Sequence, residues 1–182
     1  MTEPNSALLL VDIQNDFCEG GSLEVPDANK VIPVVNALIR KATAARQLVI
    51  ASRDWHTVDH TSFDCRGGPW PPHCIQDTEG AAFHPGMELP ADAVRVSKGT
   101  GFDVDAYSAF DGTQLDSFLR RHDIRHLQVA GLALDVCVRA TVLDGLECGF
   151  NIDLMAGGTR AVDPEGVDKV LEELRAAGAT IR

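Results

Sequence analysis

This chain predicts a three-layer α/β fold, a mostly parallel sheet with helices on both faces, on three observations. Short apolar runs alternate with helical periodicities along its length. The strand-like runs are apolar, and the first, Ala7–Val11, is unbroken, as in strands covered on both faces. Reactive residues recur where the runs end, which is where sites form in open parallel sheets. A length of 182 residues suits one domain spanning 1–182 with a sizeable core.

Residues 7–13 (ALLLVDI) read as a buried strand. A helix over 30–45 follows, with Val31, Val34, Val35, Leu38 and Ile39 on one side, and 47–52 (QLVIAS) read as the second strand. The segment from about 53 to 91 has no periodicity and is rich in Pro, Gly and His; a loop that long in a compact domain points to function. Residues 93–97 form the third strand. Asp111 with Gln114 resembles a capping box opening a helix with Leu115, Phe118 and Leu119. Residues 126–131 are the fourth strand, 135–147 a helix and 150–156 the fifth strand. Asp163-Pro164-Glu165 is a helix start, followed by an apolar stripe of Val167, Val170, Leu171 and Leu174 and a stop at Gly178. Residues 179–181 offer a last edge strand.

The formal net charge is −11, which disfavours a phosphate backbone, so no nucleic-acid partner is expected. No stretch is apolar enough to cross a bilayer, and the run Ala7–Val11 is too short and lacks the preceding basic segment of a secretory signal, Glu3 being the one charge there. The expectation is a soluble cytoplasmic protein. Its few aromatics leave little surface for a large interface, which favours a monomer or small homo-oligomer. The five cysteines, Cys18, Cys65, Cys74, Cys137 and Cys148, are odd in number and irregular in spacing, so no disulfide framework is expected.

Cys137 lies in a strand-turn-helix passage, where unpaired N–H groups lower a thiol's pKa and can stabilise an oxyanion; the alternative is a buried packing thiol. Asp12 ends a strand after apolar residues and needs a partner or a task, unless it caps the next turn. Lys98 ends the third strand, where a surface charge is the ordinary reading. Asp54, His56, His60 and His73 lie within twenty residues, and Asp54 and His56 point to one side of an extended chain. A carboxylate with imidazoles suits one divalent ion, Zn, Fe or Mn, against the alternative of histidines gathered in a polar loop.

Taken together, Val11-Asp12-Ile13-Gln14-Asn15-Asp16-Phe17, Arg53-Asp54-Trp55-His56, Trp70-Pro71-Pro72-His73-Cys74, Lys98-Gly99 and Asp135-Val136-Cys137-Val138 resemble, in order and over nearly the whole chain, the isochorismatase-like cysteine hydrolases, and within them the nicotinamidases or pyrazinamidases. The resemblance implies the isochorismatase-like hydrolase fold and a triad of Asp12, Lys98 and Cys137 that deamidates an aromatic amide through a thioester. It implies an oxyanion hole from the N–H groups of Ala133 and Cys137, with a cis peptide between Leu132 and Ala133. It also implies a metal held by Asp54, His56, His60 and His73, with His84 a lesser rival and Cys74 a packing residue. Phe17, Leu23, Trp70 and Tyr107 would line the pocket. Two rivals stand beside this reading: a related amidase acting on a carbamoyl or acyclic amide, and a catalytically silent metal-binding protein on the same fold.

Overall fold

The computed structural model describes residues 5–182; Glu3 lies outside the described residues. Six strands, β1 (Ser6–Val11), β2 (Leu48–Asp54), β3 (Val94–Lys98), β4 (His126–Leu132), β5 (Asn151–Arg160) and β6 (Thr180–Ile181), form one sheet in the order β3-β2-β1-β4-β5-β6. Every pairing is parallel. The helices are α1 (Val31–Ala44), α2 (Leu115–Arg121), α3 (Arg139–Glu147) and α4 (Val167–Ala177).

The alternation within β1 explains the layers. Leu8 and Leu10 pack with Val31, Val35, Leu38 and Ile39 of α1 on one face. Ala7, Leu9 and Val11 pack with Leu115 and Leu119 of α2, Val142 of α3 and Leu174 of α4 on the other. All six β1 residues are buried, which accounts for the unbroken apolar run. Among the described residues, no helix is long and apolar enough to cross a membrane.

Most elements fall where the sequence predicts. Asp163 caps its turn by accepting the Glu165 N–H at 3.0 Å, and Gly178, at φ 114°, ends α4. Two expectations are corrected. Asp111 and Gln114 form no capping box: Gln114 takes a left-handed conformation without a side-chain cap, and the Asp111 carboxylate instead accepts the N–H groups of Tyr107 and Ser108 at 2.9 Å, closing the preceding turn. The fifth strand runs on to Arg160 instead of stopping before Gly157-Gly158, because a shift of register between Val129 and Gly131 of β4 absorbs the irregularity.

The chain runs outward from β1 to β3 and then returns to place β4 on the other side of β1. Strand order reverses between β1 and β4, and the crevice beyond their carboxyl ends is the natural ligand site of such a sheet. The two strands come close there: a Cβ on Gly131, at φ 129°, would lie 2.1 Å from the Val11 carbonyl oxygen.

Candidate active site and metal centre

Four strands deliver the polar centre. Asp12 follows β1, Asp54 ends β2, Lys98 ends β3, and Cys137 sits in a π-helical turn, Leu134–Val138, that links β4 to α3. All four side chains are buried. Lys98 Nζ lies 2.8 Å from Asp12 Oδ2, 2.5 Å from Asp54 Oδ1 and 3.5 Å from Cys137 Sγ. Asp12 and Cys137, 125 positions apart in sequence, therefore share the Lys98 ammonium group.

Charge in this centre is divided unequally. Burial alone would lower the Lys98 pKa, but the two carboxylates outweigh it and hold the ammonium well above its ordinary range. Burial raises Asp12 above an ordinary carboxyl, with Lys98 opposing only in part. Burial acts on Asp54 in the same direction, but Lys98 together with His56 and His73 overcomes it and holds Asp54 well below the usual range. One carboxylate thus stays ionised while the other is the readier proton acceptor. The Ser52 hydroxyl donates to Asp12 Oδ1 at 2.7 Å and fixes its orientation.

Cys137 corrects one expectation. The helix start was expected to lower its pKa, but burial raises the thiol well above its ordinary value; Lys98 opposes this, and Asp12 and Asp54 add to it. The Cys137 Sγ lies 3.5 Å from Lys98 Nζ, and burial favours the thiol over the thiolate. The Leu132–Ala133 peptide is cis. The Ala133 carbonyl accepts from the Val136 and Val138 N–H groups at 3.1 and 3.0 Å, so it is turned into the cysteine-bearing turn.

Beside Lys98, Asp54 Oδ2 lies 3.4 Å from His56 Nε2 and 3.7 Å from His73 Nε2, and all three groups are buried. His56 Nδ1 faces the Gly99 carbonyl at 2.8 Å and His73 Nδ1 faces the Pro71 carbonyl at 2.7 Å. A carbonyl only accepts, so each Nδ1 carries a proton and each ring turns its Nε2 toward the Asp54 carboxylate. With Nε2 unprotonated, two imidazole nitrogens and a carboxylate oxygen converge, a donor set that fits a divalent metal. Without one, burial disfavours the charged form of His56, but Asp54 overcomes that and raises its pKa.

His60 is the predicted ligand that the structure does not bring in. Its ring stacks on His56 at 4.1 Å, yet Nδ1 is held by the Ser62 hydroxyl at 2.7 Å and Nε2 faces the Val104 carbonyl at 3.1 Å. The carbonyl demands a proton on Nε2, so no lone pair points at the cluster. His84 is also apart, with Nδ1 accepting the Gly86 N–H at 3.0 Å. Cys74 is packed in the core against α1.

Cys137, Asp54, His56 and His73 line one cleft of about 530 Å³, counting its open mouth. Phe17, Leu23, Trp70 and Tyr107, the four predicted pocket residues, line it as well, together with Ala133 and Val136. Trp70 Nε1 donates to the Tyr107 hydroxyl at 3.1 Å, tying two walls together. The sequence reading missed Ser52 and Gln14, both fully buried. Gln14 stood in the motif after β1 without a role. Ser52 was hidden at the end of an apolar run, and only strand pairing reveals that it faces Asp12.

A buried cysteine, lysine and aspartate at the switch point of this sheet, with a carboxylate–imidazole cluster alongside, mark the isochorismatase-like α/β fold. The chain belongs to the isochorismatase family: the isochorismatase domain matches residues 6–182. It is 41% identical over 201 residues to the nicotinamidase of Escherichia coli, covering 98% of this chain and 94% of that protein. Among solved structures, it is similar to the pyrazinamidase of Pyrococcus horikoshii in complex with zinc, at 45% identity and a TM-score of 0.95 over 98% of this chain and 99% of that one. It is also similar to PnC1 from L. infantum in complex with nicotinate, at 34% identity and a TM-score of 0.89, covering 98% and 92% of the two chains.

Proposed function

We propose that this chain is a metal-dependent nicotinamidase: it hydrolyses the carboxamide of nicotinamide, and of pyrazinamide-like analogues, to the carboxylate and ammonia. The observation that carries the reading is that Cys137 and the Asp54–His56–His73 cluster line the same aromatic-walled cleft. The nicotinamidase and pyrazinamidase relatives, and the nicotinate and zinc in two similar structures, support the choice of substrate and of a metal. On this reading the chain acts as one domain, a monomer or small homo-oligomer, in cytoplasmic NAD salvage.

Asp54, His56 and His73 would hold the divalent ion, Zn, Fe or Mn; when bound, it supplies an electrophilic anchor for the ring nitrogen of the substrate. Phe17, Leu23, Trp70 and Tyr107 provide flat apolar walls for the ring. Asp12 takes the Cys137 proton as Sγ bonds to the amide carbon and the carbonyl electrons move onto oxygen. The N–H groups of Ala133 and Cys137 receive that oxyanion. On collapse the C–N bond breaks, Asp12 returns its proton to the nitrogen, and ammonia leaves a thioester on Cys137. Water then adds with Asp12 as base, the C–S bond breaks, and the proton returns to Sγ as the acid departs. Lys98 keeps Asp12 and Cys137 in register throughout.

The test is ammonia release from nicotinamide by purified protein, before and after chelation and with zinc added back. Release that is lost on chelation and regained with metal is expected. Release from acyclic amides but not from nicotinamide, in protein that contains metal, would overturn the substrate.

A further inference from the structure

The segment that carries Asp12 does more than present one carboxylate. Three alternate residues, Asp12, Gln14 and Asp16, each meet a different part of the site. Gln14 is fully buried, and its amide is saturated. Its Oε1 accepts the Asp54 N–H at 2.8 Å, while its Nε2 donates to the Asp54 carbonyl at 2.8 Å and to the Ala81 carbonyl at 2.9 Å. Both backbone polar groups of Asp54 are thus gripped by one side chain 40 residues away in sequence. Asp16 acts on the other arm of the cluster. Its Oδ2 accepts the Cys74 N–H at 2.7 Å and its Oδ1 accepts the Ser22 N–H at 3.3 Å. Cys74 directly follows His73 and has φ 47°, a conformation that a non-glycine residue adopts only where its surroundings hold it. Gly80 leaves room for this carboxylate, since a Cβ there would fall 2.3 Å from Asp16 Oδ2.

We infer that Gln14 and Asp16 are positioning residues that preset the metal centre, Gln14 by orienting Asp54 and Asp16 by orienting His73 through the Cys74 peptide. Neither side chain is a ligand. Asp54 is the last paired residue of β2, opposite Lys98, and His73 lies on irregular chain, so Gln14 adds to the hold of the ladder on the one and Asp16 acts where there is no ladder on the other. A saturated amide in the interior is a rigid clamp, because every partner it lost would be left unsatisfied. The inference rests on the metal reading above.

The experiment measures zinc affinity of the full chain by competition with a chelator, for the unsubstituted protein, Gln14→Met and Asp16→Asn, alongside thermal unfolding of each metal-free protein. Each substitution is expected to weaken zinc binding by about 10–100-fold, the usual effect of removing an outer partner of a metal ligand, with nicotinamide turnover regained at saturating zinc. Zinc affinity equal to that of the unsubstituted chain in both variants overturns the inference. So does a lowered unfolding temperature with unchanged zinc affinity, which would make the two residues structural only. Should Gln14→Met fail to fold, Asp16→Asn, at a partly buried position, decides alone. An unsubstituted chain that binds no zinc overturns the metal reading and this inference together, a result distinct from the others.

Discussion

The two halves of the site are held by different means. Asp12, Lys98 and Cys137 stand at or just beyond the ends of β1, β3 and β4, so the sheet and its connecting turn set their spacing. His56 and His73 stand on the irregular chain between β2 and β3, where isolated bridges, such as that of His56 with Ile75, and single side-chain hydrogen bonds do that work. Both halves meet at Lys98, whose ammonium lies between Asp12 of the one and Asp54 of the other. On the proposed function, the contrast places the covalent chemistry on residues that the sheet and its connecting turn space, and two of the three proposed ion ligands on irregular chain held by side-chain contacts. Loss of a sheet-end residue should therefore end the chemistry or the fold. Loss of a loop contact should be graded and, in part, repaired by metal.

The largest effect should come from Cys137→Ala, which removes the proposed nucleophile; turnover of nicotinamide should fall by about 10⁴-fold or more while zinc still binds. Retained ammonia release in that variant would break the division of labour outright. Lys98→Met should be felt in folding, because it leaves two buried carboxylates facing each other without their cation. Denaturant unfolding should show a loss of about 3–5 kcal/mol, the cost of breaking a buried ion pair from one side. A stability equal to that of the unsubstituted chain would mean that Lys98 is not the joint between the halves. Within the loop half, His56→Ala should weaken zinc binding by more than about 100-fold, and His60→Ala by about tenfold or less, since His60 only packs on His56. Metal analysis after gel filtration separates them, and equal losses would restore His60 as a ligand. The smallest effect belongs to Trp70→Phe, which keeps the ring but deletes the hydrogen bond to Tyr107; KM should rise by about 2–10-fold with kcat nearly unchanged. A fall in kcat alone would move Trp70 from the pocket wall into the chemistry.

Much of this was legible in one dimension. The unbroken apolar run of β1 announced a strand covered on both faces, because a central parallel strand needs no polar side, and all six observed strands fall on or beside predicted ones. Asp12 and Lys98 were visible at the ends of such runs and Cys137 in the turn after one, each with an ordinary alternative, and only the resemblance joined them into a triad. The helix after Asp163 was visible because its cap, proline and glycine stop act locally. What the sequence did not determine depends on neighbours far along the chain. The thiol of Cys137 was expected to be acidic from its local turn, but its pKa is set by burial and by carboxylates brought from β1 and β2. His60 has the same spacing and chemistry as a ligand, but the Val104 carbonyl, 44 residues away, takes its Nε2 proton and turns its lone pair from the cluster. Gln14 looks like any polar residue after a strand until β2 brings Asp54 against it. Periodicity and capping are properties of adjacent residues and can be read in order. Protonation, tautomer and the grip of one side chain on a distant peptide arise only when segments meet, and the tertiary structure alone decided them.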